Sequence, residues 1–573
     1  MRKKENCKFF TFTFYLNYLE LNYKCCRLCA SYAAFVTRPC ESRSEYLRPS
    51  LYPSGKTSPN MTIRTLLDAG ADNAVALTAP DRPAMTYAAL RRHVDSVGRQ
   101  LAGNGLGPSD RVAIVLPNGP EMASAFMAVA AYMSAAPLNP AYKESEYAFY
   151  LEDLAPKLVI VEAGSENPVR AAASALSIPV VEAVVGDNDP AGAFRLFEAE
   201  ADATPAGADN EALVLHTSGT TSRPKVVPLM QRNIMASARN IAASLELTDS
   251  DHCLNIMPLF HIHGLIAVLA TSMSKGASVC CTGGFNALKF LDQARDEKIS
   301  WYSGVPTMHQ AILLRAKRQA DAAKGLGLRL IRSSSASLPP AVFEELNDVF
   351  ECPVIEAYGM TEAAHQMTSN PLGDGKQKAG FVGIATSPEV CIMDQEGNRL
   401  TGDAEGEVCI RGDNVTPGYE NNPAANESSF TSGWFRTGDQ GFFDGDGYLK
   451  ITGRLKEIIN RGGEKVSPLE VDNVLMEHPA IQQVVTFAVA DRMLGEEIGA
   501  AVVLADGGEL DAAGLRAYAE NASGEIQDPE AHRVPRRNPE RRHRQAAADR
   551  PCPEAGPRRL VKGLSQGPKG AKR

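Results

Sequence analysis

The chain lacks a stretch able to cross a membrane as a helix. Its most apolar run, Met122–Leu138 (MASAFMAVAAYMSAAPL), is dominated by Ala and falls short of the ~20 strongly apolar residues that a span requires. It reads as a buried helix. Secretory character is missing too: early lysines and aromatics are present, but Asn17, Glu20 and Asn22 interrupt any apolar signal core. Positive charge is in deficit, and a formal net charge of −9 excludes a nucleic-acid footprint over the whole protein. The 12 cysteines follow no regular spacing, which excludes a disulfide framework and fits a reduced, intracellular protein. Cys25, Cys26, Cys29 and Cys40 contain one CxxC, but with no neighbouring His and no second CxxC it carries little weight as a zinc site. There is no internal repeat.

A length of 573 residues exceeds what one core serves and implies two or more domains. Short apolar runs at Arg111–Leu116, Lys157–Val161, Ala212–Leu215, Ala277–Cys281 and Arg329–Arg332 alternate with helix-length segments, the pattern of parallel α/β sheets. Glu407–Arg411 and Tyr448–Thr452 read as later antiparallel strands, with Asp444–Gly447 (DGDG) as a turn. Past Arg454 a smaller domain begins. Ser467–Glu470 (SPLE) is a capping box with Pro at the first helical position, predicting a helix over Pro468–Glu477. Val484–Val489 and Ala500–Leu504 read as strands, and Asp511–Asn521 as a helix.

The strongest chemical signal is Leu215–Pro228 (LHTSGTTSRPKVVP). An apolar run ends in Thr217, Ser218, Gly219, Thr220 and Thr221, followed by Lys225. Such a loop offers backbone N–H groups, hydroxyls and one ammonium to a polyphosphate. A polar surface turn has the same composition. What favours the phosphate reading is Lys225 at a fixed offset from the glycine and a second stretch downstream, Glu356–His365 (EAYGMTEAAH).

These stretches resemble the adenylate-forming acyl-CoA synthetases, in order, from about Thr62 to Glu520. Thr217–Lys225 is similar to that family's phosphate loop, and Tyr358–Glu362 to its adenine and magnesium motif. Trp434–Asp439 (WFRTGD) is similar to its ribose motif, and Gly453–Lys456 (GRLK) to its hinge. TSGTTSRPK, FHIHG, RSSSASL, MTEAAH and INRGGEKVSP together resemble the oxalate–CoA ligase branch. One departure is Val226, where the family usually has Gly after the Lys.

The resemblance implies an α/β fold with a large adenylate-forming N-terminal domain of mixed sheets, 61–453, and a small mobile α+β C-terminal domain, 454–523, incomplete here. It implies an ATP-dependent acid–CoA ligase using ATP, magnesium and coenzyme A. Carboxylate and ATP give an acyl-adenylate and pyrophosphate; CoA then displaces AMP. Thr217, Ser218, Gly219, Thr220, Thr221 and Lys225 would hold the β- and γ-phosphates. Thr361 would contact the α-phosphate, and Glu362 would bind magnesium through oxygen. Tyr358, beside Gly359, would stack on adenine. Asp439 would accept from the ribose hydroxyls, assisted by Arg454. Lys225, Thr361 and Glu362 are the catalytic candidates. Lys456 would be the hinge, with Gly462, Gly463 and Glu464 on the CoA side. Each has a plainer reading: Tyr358 as core, Asp439 as a turn cap, Glu362 as an acid at a helix start, Lys456 as a solvated surface charge. Their order along the chain favours the site.

For the acyl group the candidates are His261, His263, Arg332, Ser333, Ser335 and His365. His, Arg and Ser together suit a second carboxylate, because a buried charge must be paired. That points to a small dicarboxylate, oxalate first. His261 and His263 could also be core residues or a metal pair, though no acid lies near them in sequence. A medium-chain or 4-coumarate-like ligase is the alternative if the pocket is apolar.

The two ends differ from the rest. Residues 1–60 are rich in aromatics, Cys and Arg, without periodicity, and read as an extension or leader. From about Ser523 the chain turns Arg- and Pro-rich (HRVPRRNPERRHRQAAADRPCPEAGPRRL), and the family's final loop, roughly PK-x-x-x-GK, is absent. A frameshift accounts best for so abrupt a change; a basic disordered tail and a divergent terminus are the alternatives. A catalytically impaired nucleotide-binding relative therefore stays open, and the small domain is expected to lack its last strand and leave an edge unpaired. The end Ala571-Lys572-Arg573 lacks the final Leu of a peroxisomal address. A cytoplasmic protein is expected, a peroxisomal one staying open if the tail is frameshifted. No specific nucleic-acid partner and no transmembrane segment are expected.

Overall fold

The computed structural model describes residues 7–12, 61–217, 224–373, 375–505 and 507–522, all within the first of two compact units, Met1–Val534. One six-stranded sheet runs in the order Val180–Ala183, Leu158–Glu162, Arg111–Val115, Ser134–Pro137, Glu211–Thr217, Lys225–Met230. Its first five strands are parallel and its last is antiparallel. A nine-stranded sheet has a parallel centre of Ser278–Cys281, His252–Asn255, Trp301–Gly304, Leu330–Ser333 and Val354–Met360. Strands covered on both faces carry continuous apolar runs. Val112, Ile114, Leu213, Val279 and Leu330 accordingly share one core with the helices Tyr87–Gly103, Pro120–Tyr132 and Gln231–Ser244.

The five expected parallel-sheet runs are strands, with ends shifted by a residue or two. Met122–Leu138 is not one helix. The helix ends at Tyr132, Met133 is extended, and Ser134–Pro137 is a strand between Arg111–Val115 and Glu211–Thr217. A buried helix and a buried strand are equally apolar, so periodicity does not mark the join.

A six-stranded antiparallel sheet follows, containing Glu389–Met393, Gly406–Arg411, Trp434–Phe443 and Leu449–Arg454. The last part packs helices Pro468–Met476 and Ala512–Ala522 on strands Ile481–Asp491 and Gly495–Leu504, around Ile459, Leu475, Ile498, Val502 and Leu515. Ser467 caps the first of these helices, accepting from the Glu470 N–H. Among the described residues Ile481–Asp491 pairs on one side only, so an edge remains there, whereas the far edge of Gly495–Leu504 is paired. Gly495–Leu504 lies between Ile481–Asp491 and the segment Cys7–Phe12, with Cys7 opposite Val503 and Phe12 opposite Ile498. Six residues of the upstream segment thus supply backbone partners to that edge. The expectations for 524–573 lie outside the described residues. No helix among the described residues is long and apolar enough to cross a membrane.

Candidate functional site

Two of the phosphate-loop candidates, Thr217 and Lys225, are paired strand residues. Glu211–Thr217 and Lys225–Met230 pair antiparallel, with Thr217 directly opposite Lys225. Ser218, Gly219, Thr220 and Thr221 lie outside the described residues; their two anchors are fixed by the ladder. The Lys225 ammonium stands 4.1 Å from the centroid of the Tyr419 ring. Burial lowers its pKa, the charge of Glu362 opposes this, and Lys456 adds to it.

Val354–Met360 and His365–Ser369 are antiparallel neighbours joined by the turn Thr361–Ala363. The register shifts at Tyr358/Gly359, where a Cβ on Gly359 would stand 1.9 Å from the His365 carbonyl oxygen. Only glycine fits that close approach. Ser335 (φ 72°), Ala364 (φ 46°) and His365 (φ 103°) hold positive φ without being glycine. Backbone strain of this kind collects at functional sites. The turn leaves Glu362 buried, its Oε1 accepting from the Tyr419 hydroxyl at 2.7 Å. Desolvation raises the Glu362 pKa, against the pull of Tyr419 and Lys225.

Asp439 is opposite Arg454 on the last antiparallel ladder. Arg454 Nε donates to its Oδ1 at 2.8 Å and the Tyr358 hydroxyl to its Oδ2 at 2.5 Å. The adenine and ribose candidates therefore form one connected group. Burial pushes the Tyr358 phenol well above its ordinary range, so it stays a donor. Just beyond, the Leu455 N–H donates to Gly438 O at 2.9 Å and the Glu457 N–H to Arg454 O at 2.8 Å, which makes Lys456 the exposed corner of a turn. Gly462 (φ 60°) and Gly463 (φ 100°) form a two-residue hairpin turn between Arg461 and Glu464, where both turn positions need positive φ.

The acyl-pocket candidates converge on Arg332. Its Nη1 lies 3.3 Å from Ser303 Oγ and 3.4 Å from His263 Nε2; its Nη2 donates to Gln366 Oε1 at 2.9 Å and lies 3.4 Å from His365 Nδ1. His263 also contacts Ser303 Oγ at 2.6 Å and Ser335 Oγ at 3.0 Å. His261 stands at the rim, its Nδ1 accepting from the His263 N–H at 3.2 Å. Ser333 does not join the cluster, because successive residues of a strand point to opposite faces. His263 opens a π-helical stretch, His263–Ala270, a rare form that is frequent at functional sites. Arg332 is fully buried, its Nε has no protein partner, and no carboxylate among the described residues pairs with it. Desolvation pushes its pKa down to about 9. Burial and the neighbouring guanidinium lower His263 and His365, so both imidazoles are neutral. The buried guanidinium therefore has polar, uncharged partners and no counter-charge among the described residues.

Sequence reasoning missed Ser303, Gln366 and Tyr419. Gln366 adjoins His365, but neither it nor Ser303 lies in a motif that marks it; adjacency in space brings them in.

Residues 68–420 match the family described as AMP-binding enzyme, and residues 470–543 the AMP-binding enzyme C-terminal domain. The chain is 44% identical to the oxalate–CoA ligase of Arabidopsis thaliana over 464 residues, 78% of this chain and 90% of that one. It is 42% identical to the oxalate–CoA ligase of Saccharomyces cerevisiae, covering 70% of this chain and 78% of that one. The ATP-bound crystal structure of MatB from Rhodopseudomonas palustris matches with a TM-score of 0.73 at 28% identity, over 82% of this chain and 94% of that one. The chain belongs to the AMP-binding enzymes, as an ATP-dependent acid–CoA ligase that forms AMP and pyrophosphate.

Proposed function

We propose that this ligase activates a small dicarboxylate, oxalate, to its CoA thioester. The observation that carries the reading is Arg332, a buried guanidinium with neutral partners only. One carboxylate of oxalate pairs with Arg332, flanked by His263, Ser335 and His365. The other attacks the α-phosphorus of ATP; the P–O bond to pyrophosphate breaks and an acyl-adenylate forms. The thiolate of CoA then attacks the acyl carbon and AMP leaves. Catalysis is by positioning and charge stabilisation. Lys225 and Thr217 meet the phosphates, Thr361 the α-phosphate, Tyr358 the adenine, and Asp439 with Arg454 the ribose. Lys456 turns the smaller domain, and Gly462, Gly463 and Glu464 approach CoA.

Magnesium fits the same reading. Glu362 presents one buried carboxylate beside Lys225, and no cluster of three metal-ligating side chains occurs among the described residues. One carboxylate plus phosphate oxygens is the usual magnesium arrangement. When bound, the ion neutralises polyphosphate charge. A cytoplasmic location accords with the cysteines Cys253, Cys280, Cys281, Cys352, Cys391 and Cys409, all free thiols.

The test is thioester formation with oxalate, octanoate and 4-coumarate. Oxalate is expected to turn over fastest, and Arg332→Gln to lose oxalate far more than octanoate. Faster turnover of octanoate by the unmodified protein refutes the dicarboxylate pocket.

A further inference from the structure

Tyr419 touches both charged groups of the phosphate end at once. Its hydroxyl donates to Glu362 Oε1 at 2.7 Å, and its ring carries the Lys225 ammonium at 4.1 Å. Although Lys225 and Glu362 lie close enough to feel each other's charge, no ion pair joins them.

Tyr419 is itself held firmly. Its N–H donates to Asn426 Oδ1 at 2.7 Å, and its carbonyl accepts from Asn426 Nδ2 at 2.8 Å. The segment around it joins the two site elements. The Thr416 N–H donates to Glu362 O at 2.7 Å, Thr416 Oγ1 to Pro228 O at 2.8 Å, and the Glu420 N–H to Val226 O at 3.0 Å. Residues 416–420 thus connect the strand bearing Lys225 to the turn bearing Glu362.

A direct Lys–Glu pair in a buried site would neutralise both groups and turn each away from a nucleotide. An aromatic face holds an ammonium more weakly than a carboxylate does, and releases it to phosphate. A phenol hydroxyl on one carboxylate oxygen fixes the orientation of the group. We propose that Tyr419 is a positioning residue that keeps Lys225 and Glu362 apart, the ammonium for phosphate and the carboxylate for a divalent cation. This rests on the reading of Lys225 and Glu362 given above.

The experiment is calorimetric ATP binding to the full chain, in EDTA and across a magnesium chloride titration. Tyr419→Phe keeps the ring and loses the hydroxyl. It should bind ATP in EDTA as the parent does, and need about 10-fold more magnesium to reach full affinity, the scale seen when an outer partner of a metal ligand is lost. Tyr419→Leu loses both contacts and should also weaken ATP binding in EDTA. Glu362→Gln separates the two readings. If Glu362→Gln abolishes the magnesium response while Tyr419→Phe matches the parent, the role of Tyr419 is overturned and the site reading stands. If Glu362→Gln leaves the response unchanged, the site reading falls and this inference with it.

Discussion

Asp439 and Arg454 face each other across two antiparallel strands, with Arg454 Nε 2.8 Å from Asp439 Oδ1. Arg454 ends its strand two residues before Lys456, so the acid proposed for the ribose is tied to the start of the turn that carries Lys456. Asp439→Asn removes the charge that organises both Arg454 and Tyr358. Hydrogen bonds to charged groups contribute ~1.5–3 kcal/mol, so ATP affinity by calorimetry should fall about 10-fold or more. The melting temperature should move little, because the Arg454 side chain is 42% exposed and solvent screens the pair. Unaltered ATP affinity would remove Asp439 from the site.

Lys225→Ala and Glu362→Ala should each slow acid-dependent ATP–pyrophosphate exchange by ~10²–10³, the usual loss for one preorganised charge-stabilising group. Their fixed places, at the base of the loop hairpin and beneath Tyr419, motivate the expectation. Exchange at the parental rate in both variants would sink the assignment.

Gly359→Ala drives a Cβ to 1.9 Å from the His365 carbonyl oxygen. Backbone has to move, and the strand pair that presents Tyr358 and Thr361 moves with it. A stability loss of ~1–3 kcal/mol or more is expected, as in overpacked cores, together with loss of adenylation. Chemical denaturation measures the first and pyrophosphate exchange the second; a variant indistinguishable from the parent in both would contradict the packing described.

Glu356 gives a pH dependence. Burial raises its pKa from the ordinary 4.5 to about 8, against hydrogen bonds from the Gly380 and Leu338 N–H groups. The folded state therefore favours the protonated acid. Its contribution is fully present below about pH 4.5, falls as the unfolded chain ionises, and is lost as the pH passes about 8. Glu356→Gln should flatten the decline of thermal stability over that window. Parallel melting-temperature profiles for the two proteins would count against it.

The motifs were legible in the sequence because they depend on residue type at short spacing. Thr217–Lys225, Tyr358–Glu362, Trp434–Asp439 and Gly453–Lys456 announce nucleotide chemistry through local order alone. Five parallel-sheet strands were legible as short apolar runs, and the Pro468 helix through its Ser467 cap. The join inside Met122–Leu138 was hidden, since burial on all sides erases the period that distinguishes helix from strand. Tertiary structure alone decided the rest. Arg332, His263 and His365 come from separate elements, and only sheet register and the strained turn at Ala364–His365 bring them together around a charge without an acid. Ser303 and Gln366 enter the cluster by the same register. Tyr419 sits on a connecting segment with no motif of its own, and its place between Lys225 and Glu362 follows from hydrogen bonds that its neighbours Thr416 and Glu420 make to the carbonyls of Val226, Pro228 and Glu362. The pairing of Cys7–Phe12 with Gly495–Leu504 was likewise invisible, because an edge strand takes its partner from backbone geometry, which residue type hardly encodes. Sequence determined which chemical groups this protein owns and roughly where many of its strands and turns lie. Folding decided which of those groups meet, because contacts between residues 29 to 69 apart in the chain, as around Arg332, are fixed by long-range packing and register, quantities that no local pattern carries.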